Sequence, residues 1–297
     1  MSKTLNYYEQ RPEDNTFIEV VADVTHRCNM SCKNCYIPNR DVPDMDIDKL
    51  IDCISRFPKR VMLRIIGAEP TMRKDLPEIV TRVKRAGHKV CLLTNGLRLA
   101  KQHYCQQLKD AGLRHTYISM NGVDVDDWYE QIDELRCATK KVAALQNAKK
   151  MNFVIDIGCI LVKDINDEAP TRMINLLKES GIENCVIRFK NVGQIGRYLK
   201  RPNHTMDSLK QLVADQFKIS LDHIESKHIP IEKESILFPV DPNAKLVYKS
   251  GIWIKLTNWD ASGKYSPLLD SNRRGRITQD FKVAPFFEHV KLNEGGY

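Results

Sequence analysis

"FIEVVADVTHRCNMSCKNCY" occupies residues 17–36. Its first eight residues form an apolar run of strand length. Its second half sets Cys28, Cys32 and Cys35 at the spacing C-x3-C-x2-C. Thiols delivered directly after a strand lie at its C-terminal end, where ligands gather in α/β folds. Three thiolates are one fewer than a closed structural zinc site takes. The stretch therefore bears on both the fold and the chemistry.

Downstream, two periods alternate. Apolar, strand-like runs cover 60–67, 88–96, 115–122, 153–163 and 184–193. Between them, 46–57, 75–87, 98–112, a longer stretch to about Met151, 168–181 and 207–219 carry apolar residues at helical spacing. Asp46 and Asp75 stand where helices open, and Gly87 where one closes. Strands apolar on both faces belong to parallel sheets, and alternation with helices implies right-handed crossovers. Six such units give an α/β fold, a partial (β/α)6 barrel. The expected organisation is an N-terminal arm over 1–14, the barrel over 15–225, and a small β-containing C-terminal extension over 226–297 capping the open side.

The 297 residues are 42% hydrophobic and 28% charged, as in a globular protein with a core. No apolar run approaches the roughly 20 residues that span a bilayer. The first 17 residues lack the apolar centre of a secretory signal, so a cytoplasmic protein without a membrane partner is expected. The formal charge of +8 permits a phosphate-bearing or nucleic-acid partner without requiring one. Nine cysteines in such a chain suggest metal chemistry more than disulfides. Six of them are scattered singly, and none follows Cys185.

Four readings of the cysteine triad compete. Zinc would need a fourth ligand, and His26, one residue removed from Cys28, is poorly spaced to chelate. A redox C-x2-C pair would leave Cys28 idle. Buried free thiols sit badly among Arg27, Asn29, Ser31, Lys33 and Asn34. An iron–sulfur cluster on three thiolates leaves one iron open, which points to catalysis because four cysteines are the usual set. The spacing favours the last reading.

C-x3-C-x2-C followed by the aromatic Tyr36, after the first strand of a partial barrel, resembles the radical S-adenosylmethionine superfamily over residues 15–225. A Gly-Gly-Glu-Pro segment closes the second strand in that family. Here Gly67, Ala68, Glu69 and Pro70 stand there, with alanine replacing the second glycine. The resemblance implies that this segment meets the methionine moiety of S-adenosylmethionine, with Tyr36 beside its adenine. It implies further contacts from Asn95 in "TNG", from Ser119 and Asn121 in "SMNG", and from Ile160, with Val162, beside adenine. "VGQIGR" (192–197) also recurs in relatives.

By the same resemblance, Cys28, Cys32 and Cys35 hold one 4Fe–4S cluster. S-adenosylmethionine takes the open iron and is cleaved to a 5′-deoxyadenosyl radical that abstracts hydrogen from a substrate. A flavodoxin or ferredoxin supplies the electron. The residues assign no catalytic side chain beyond these. "NRRGR" (272–276) reads as a contact for a substrate phosphate or as a solvated loop. His26 reads as a loop histidine, and Trp253, Trp259, Phe286 and Phe287 as packing for the tail. The favoured substrate is a nucleotide, a nucleic-acid base or another phosphorylated small molecule. Peptide side-chain modification is the alternative, disfavoured by the missing C-terminal cysteines. A non-catalytic metal- or nucleic-acid-binding protein is the alternative from another class.

Overall fold

The computed structural model describes residues 8–35, 37, 39–192, 204–225, 245–249, 251–257 and 274–286. Six strand–helix units run as the sequence implies. They are β1 (Glu19–Asp23), α1 (Ile47–Ser55), β2 (Met62–Ile66), α2 (Leu76–Arg85), β3 (Lys89–Thr94), α3 (Gln102–Asp110), β4 (His115–Ser119), α4 (Asp126–Asp133) and α5 (Ala138–Lys150). There follow β5 (Val154–Leu161), α6 (Ala169–Glu179), β6 (Val186–Asn191), α7 (Met206–Phe217) and α8 (Leu221–Glu225).

Two helices expected as single pieces are divided. The 98–112 stretch opens with a 3-10 turn at Leu97–Ala100 before α3. The stretch ending at Met151 breaks at Glu134, which adopts a left-handed φ of 54° between α4 and α5. Asp46 caps α1 by accepting from Lys49 N at 3.1 Å. Asp75 stands at the start of α2 without capping it and instead pairs with Arg73.

The tail adds β7 (Lys245–Lys249), β8 (Ile252–Thr257), β9 (Arg274–Ile277) and β10 (Val283–Pro285). These strands join the edges of one ten-stranded sheet, in the order β10-β9-β1-β2-β3-β4-β5-β6-β8-β7. β8 lies parallel to β6 and β9 parallel to β1, while β7 and β10 run antiparallel outside them. The described part of the extension thus lengthens the barrel wall at both ends. Over its described part "NRRGR" is a buried strand and not a solvated loop. Arg274 and Arg276 are buried in β9, where they pair with Glu19 and Asp23 of β1.

Alternation along the strands separates two faces. Val20, Ala22, Leu63, Ile65, Leu92, Ile118, Ile157, Ile187, Phe189 and Ile254 belong to one apolar core with the helices. Residues of the opposite parity, among them Glu19, Arg64, His115, Tyr117 and Arg188, face the lumen. Among the described residues no helix is long and apolar enough to cross a membrane.

Candidate active site

The cysteine loop leaves β1 at the C-terminal end of the sheet. It is fastened on several sides. Thr25 donates its hydroxyl to Asp44 at 2.5 Å, and Arg27 pairs with the same carboxylate. Lys33 N donates to Ile132 O of α4 at 3.0 Å. Arg73, almost fully buried, donates to the carbonyls of Val24 and Met45. His26 is buried, and its Nδ1 lies 3.1 Å from Asn39 O, so it braces the loop instead of idling in solvent.

All three cysteines of the triad are half-buried free thiols. Arg40 Nη2 lies 3.1 Å from Cys35 Sγ. Asn95 Nδ2 lies 4.0 Å from Cys28 Sγ. Burial pushes the Cys28 and Cys32 thiols up, and the neighbouring Asp133 carboxylate raises Cys32 further. A metal binding there must displace those protons. Among the described residues no three His, Cys, Asp or Glu side chains converge as a formed metal site. The donor set nonetheless fits an iron–sulfur cluster, with three thiols on one loop and N–H donors directed at two of the sulfurs.

The Gly67–Pro70 segment is stitched to this loop. Ala68 N donates to Thr25 O at 2.8 Å and Glu69 N to Arg27 O at 3.0 Å. Gly67 has no room for a side chain, since a Cβ would stand 2.2 Å from Thr25 O. Ala68 keeps a negative φ, so its methyl group is accommodated without strain. Glu69 is fully buried. Its carboxylate accepts from Thr71 N, the Thr71 and Thr94 hydroxyls and Asn95 N. Pro70 opens a short 3-10 turn.

Asn95 stands between these two elements. Its side chain donates to Asn29 Oδ1 at 2.8 Å, and its carbonyl accepts from Lys141 Nζ at 2.6 Å. Lys141 also donates to Ser119 O at 2.9 Å, joining the ends of β3 and β4. Asn121 is buried; it donates to both Asp133 oxygens and accepts from Ile160 N. Ser119 and Ile160 are half-buried. Val162 is fully buried and packs with Ile132 and Val192. Tyr36 lies outside the described residues, as do Trp259, Phe287 and all of "VGQIGR" beyond Val192.

Asp133, Lys141, Arg40 and Arg73 were not singled out from sequence. A signal for two of them was present. Tyr129, Ile132 and Asp133 share one helical face, as do Ala138, Lys141, Leu145 and Ala148, so each charge interrupts an apolar stripe. Lys141 is fully buried, and Asp133 all but so. Burial raises the Asp133 carboxyl against the opposing pull of Lys141.

A model of the radical SAM superfamily matches residues 23–177, more than half of the chain. GTP 3',8-cyclases of Staphylococcus aureus strains Mu3 / ATCC 700698 and Newman are each 27% identical over 219 residues. The matched part is 69% of this chain and 63% of theirs, so the chain spans less than two thirds of these relatives. Streptococcus suis SuiB bound to S-adenosylmethionine superposes with a TM-score of 0.65 at 13% identity, over 94% of this chain and 62% of that one. SuiB bound to the precursor peptide SuiA gives 0.64 at 13% identity, over 95% and 62%. The enzyme anSMEcpe with bound AdoMet and Cp18Cys peptide gives 0.54 at 15% identity, over 68% and 59%. At these identities the likeness to the solved structures is one of fold. The family match, the partial barrel and the thiol loop at its strand ends agree, and the chain belongs to the radical SAM superfamily of enzymes, a family that implies an iron–sulfur cluster and S-adenosylmethionine.

Proposed function

We propose that Cys28, Cys32 and Cys35 hold a single 4Fe–4S cluster and that the enzyme acts on a nucleotide or another phosphorylated small molecule. When bound, the cluster supplies one electron to S-adenosylmethionine, whose cleavage to a 5′-deoxyadenosyl radical initiates hydrogen abstraction. A flavodoxin- or ferredoxin-type donor delivers that electron.

The observation that carries this reading is the stitching of the Gly67–Pro70 segment to the cysteine loop. The N–H groups of Ala68 and Glu69 are spent on Thr25 and Arg27. The segment's carbonyls, which only accept, suit the amino group of the methionine moiety. Glu69 acts by holding this segment against β3. Asn95 positions Asn29 and the Cys28 end of the loop, and Asn121 positions the Ile160 backbone. Ser119 and Ile160 flank the lumen where ribose and adenine are placed. Tyr36 is assigned beside adenine from its place in the sequence.

The nucleotide reading draws support from the GTP 3',8-cyclase relatives and from the formal charge of +8. A peptide substrate is the second reading, prompted by the peptide-bound structural neighbours. Anaerobic reconstitution should give about four irons per chain, as expected of one such cluster. Reduction with S-adenosylmethionine present should release 5′-deoxyadenosine, and Cys32→Ala should abolish it. Persistence of that product in the variant defeats the assignment.

A further inference from the structure

The chain that leaves the cysteine loop turns back on the root of that loop. Asn39 O lies 3.1 Å from His26 Nδ1. The next residue, half-buried Arg40, spreads its guanidinium over two partners. Nη1 donates to His26 O at 3.4 Å and Nη2 to Cys35 Sγ at 3.1 Å. The Cys35 thiol itself donates towards Ile37 O at 3.7 Å, which leaves the sulfur lone pairs for the guanidinium.

The three sulfurs of the triad have unlike neighbours. Cys28 faces the neutral amide of Asn95, 4.0 Å away, and Cys32 faces the Asp133 carboxylate. Cys35 has the guanidinium. Asp44 is held by Thr25 and Arg27, and no carboxylate among the described residues pairs with Arg40. The charge of Arg40 therefore falls on the sulfurs, and it reaches Cys28 as well.

We propose that Arg40 is a positioning residue for the iron–sulfur centre: by donating to the Cys35 thiolate it makes that centre easier to reduce. The proposal rests on the cluster reading given above for Cys28, Cys32 and Cys35. Hydrogen bonds to the sulfurs and local charge are among the features that set the potential of such a centre. One-electron reduction by the flavodoxin- or ferredoxin-type donor adds a negative charge, which a cation and an N–H group beside the sulfur stabilise. The fork of the side chain matters too. A guanidinium can hold His26 O and Cys35 Sγ at once, whereas a lysine ammonium is a point charge on a flexible stem.

The test is an anaerobic redox titration of the reconstituted protein without S-adenosylmethionine, read by electron paramagnetic resonance and paired with iron analysis. Arg40→Met removes the charge and both donors. It should make reduction at least threefold less favourable, a fall of about 28 mV in midpoint potential at about 59 mV per tenfold. Arg40→Lys should fall between that variant and the wild type. Lys178→Gln, exposed in the last turn of α6, should keep the wild-type potential. A residue that merely held the loop would lower the iron content and leave the potential of the remaining centres unmoved. Iron-loaded Arg40→Met at the wild-type potential overturns the proposal. If Arg40→Met retains no iron, Arg40→Lys decides: a lowered potential supports the proposal and an unaltered one overturns it. A wild type without a reducible four-iron centre defeats the cluster reading itself, which no result on the Arg40 variants can do.

Discussion

The Glu69 carboxylate accepts the backbone N–H of Asn95 at 2.6 Å and so fixes the end of β2 to the end of β3. The same carboxylate holds Thr71 and Thr94. One buried anion therefore registers the Gly67–Pro70 segment against Asn95. Glu69→Gln turns an amide N–H₂ towards at least one of these donors. Removing one partner of a buried, charged hydrogen-bond set costs about 3 kcal/mol. Chemical denaturation should show that loss, and 5′-deoxyadenosine formation should fall with it.

Gly67 and Ala68 should respond to different degrees. Gly67→Ala forces a methyl group into the Thr25 carbonyl, a backbone atom that cannot rotate away. Overpacking of this kind costs about 1–3 kcal/mol and should loosen S-adenosylmethionine binding by equilibrium dialysis. Ala68→Gly restores the residue usual in the family and leaves the Ala68 N–H bond to Thr25 O available. It should cost only about 0.4–1 kcal/mol, through the greater freedom of the unfolded chain. Equal damage from the two substitutions contradicts the stitched geometry.

Lys141 and Asp133 are two buried charges behind the cysteine loop, and the charge of Lys141 favours the ionised Asp133 carboxylate. Lys141→Met strands the carbonyls of Asn95 and Ser119 and takes that charge away. Leaving such buried acceptors unpaired costs about 1–3 kcal/mol. Adding Asp133→Asn removes the uncompensated anion, so the double variant should be more stable than the sum of the single effects predicts. A double-mutant cycle from urea unfolding checks this.

On the lumen floor, His115 lies 3.0 Å from Asp156. Burial alone would lower its pKa, but the neighbouring Cys91 and Asp156 together lift it to about 10. A folded value above the unfolded one makes the native state hold a proton that the unfolded chain releases. This contribution is complete below pH 6.5 and is lost as pH rises towards 10. The slope between those limits approaches about 1.4 kcal/mol per pH unit. His115→Gln should flatten that part of the curve of unfolding free energy against pH.

The core of the barrel was legible because β1 to β6 are apolar runs set between helices with a different period. The cysteine loop and the Gly67–Pro70 segment were legible because their spacing is chemical and local. Asp133 and Lys141 escaped notice because a single charge on an amphipathic helix usually marks its solvent side. The docking of β9 against β1 was hidden for a different reason. "RGRI" is four residues long with two arginines and a glycine, and its partner lies about 250 residues earlier in the chain. Nothing local predicts so distant a pairing. The one hint is complementary, since Glu19 and Asp23 are acids inside an otherwise apolar strand.

That hint leads to a prediction for the tail arginines. Arg276 is buried and pairs with Asp23, and Gly275 beside it leaves room for Phe17, whose ring would meet an added Cβ at 2.4 Å. Arg276→Leu keeps much of the volume but leaves the Asp23 carboxylate in the lumen without this cation. The expected loss is about 3–5 kcal/mol, because the β9–β1 seam is weakened where the barrel wall ends. Arg276→Leu with Asp23→Leu removes both charges and should recover most of that stability. Urea unfolding of the single and double variants checks this.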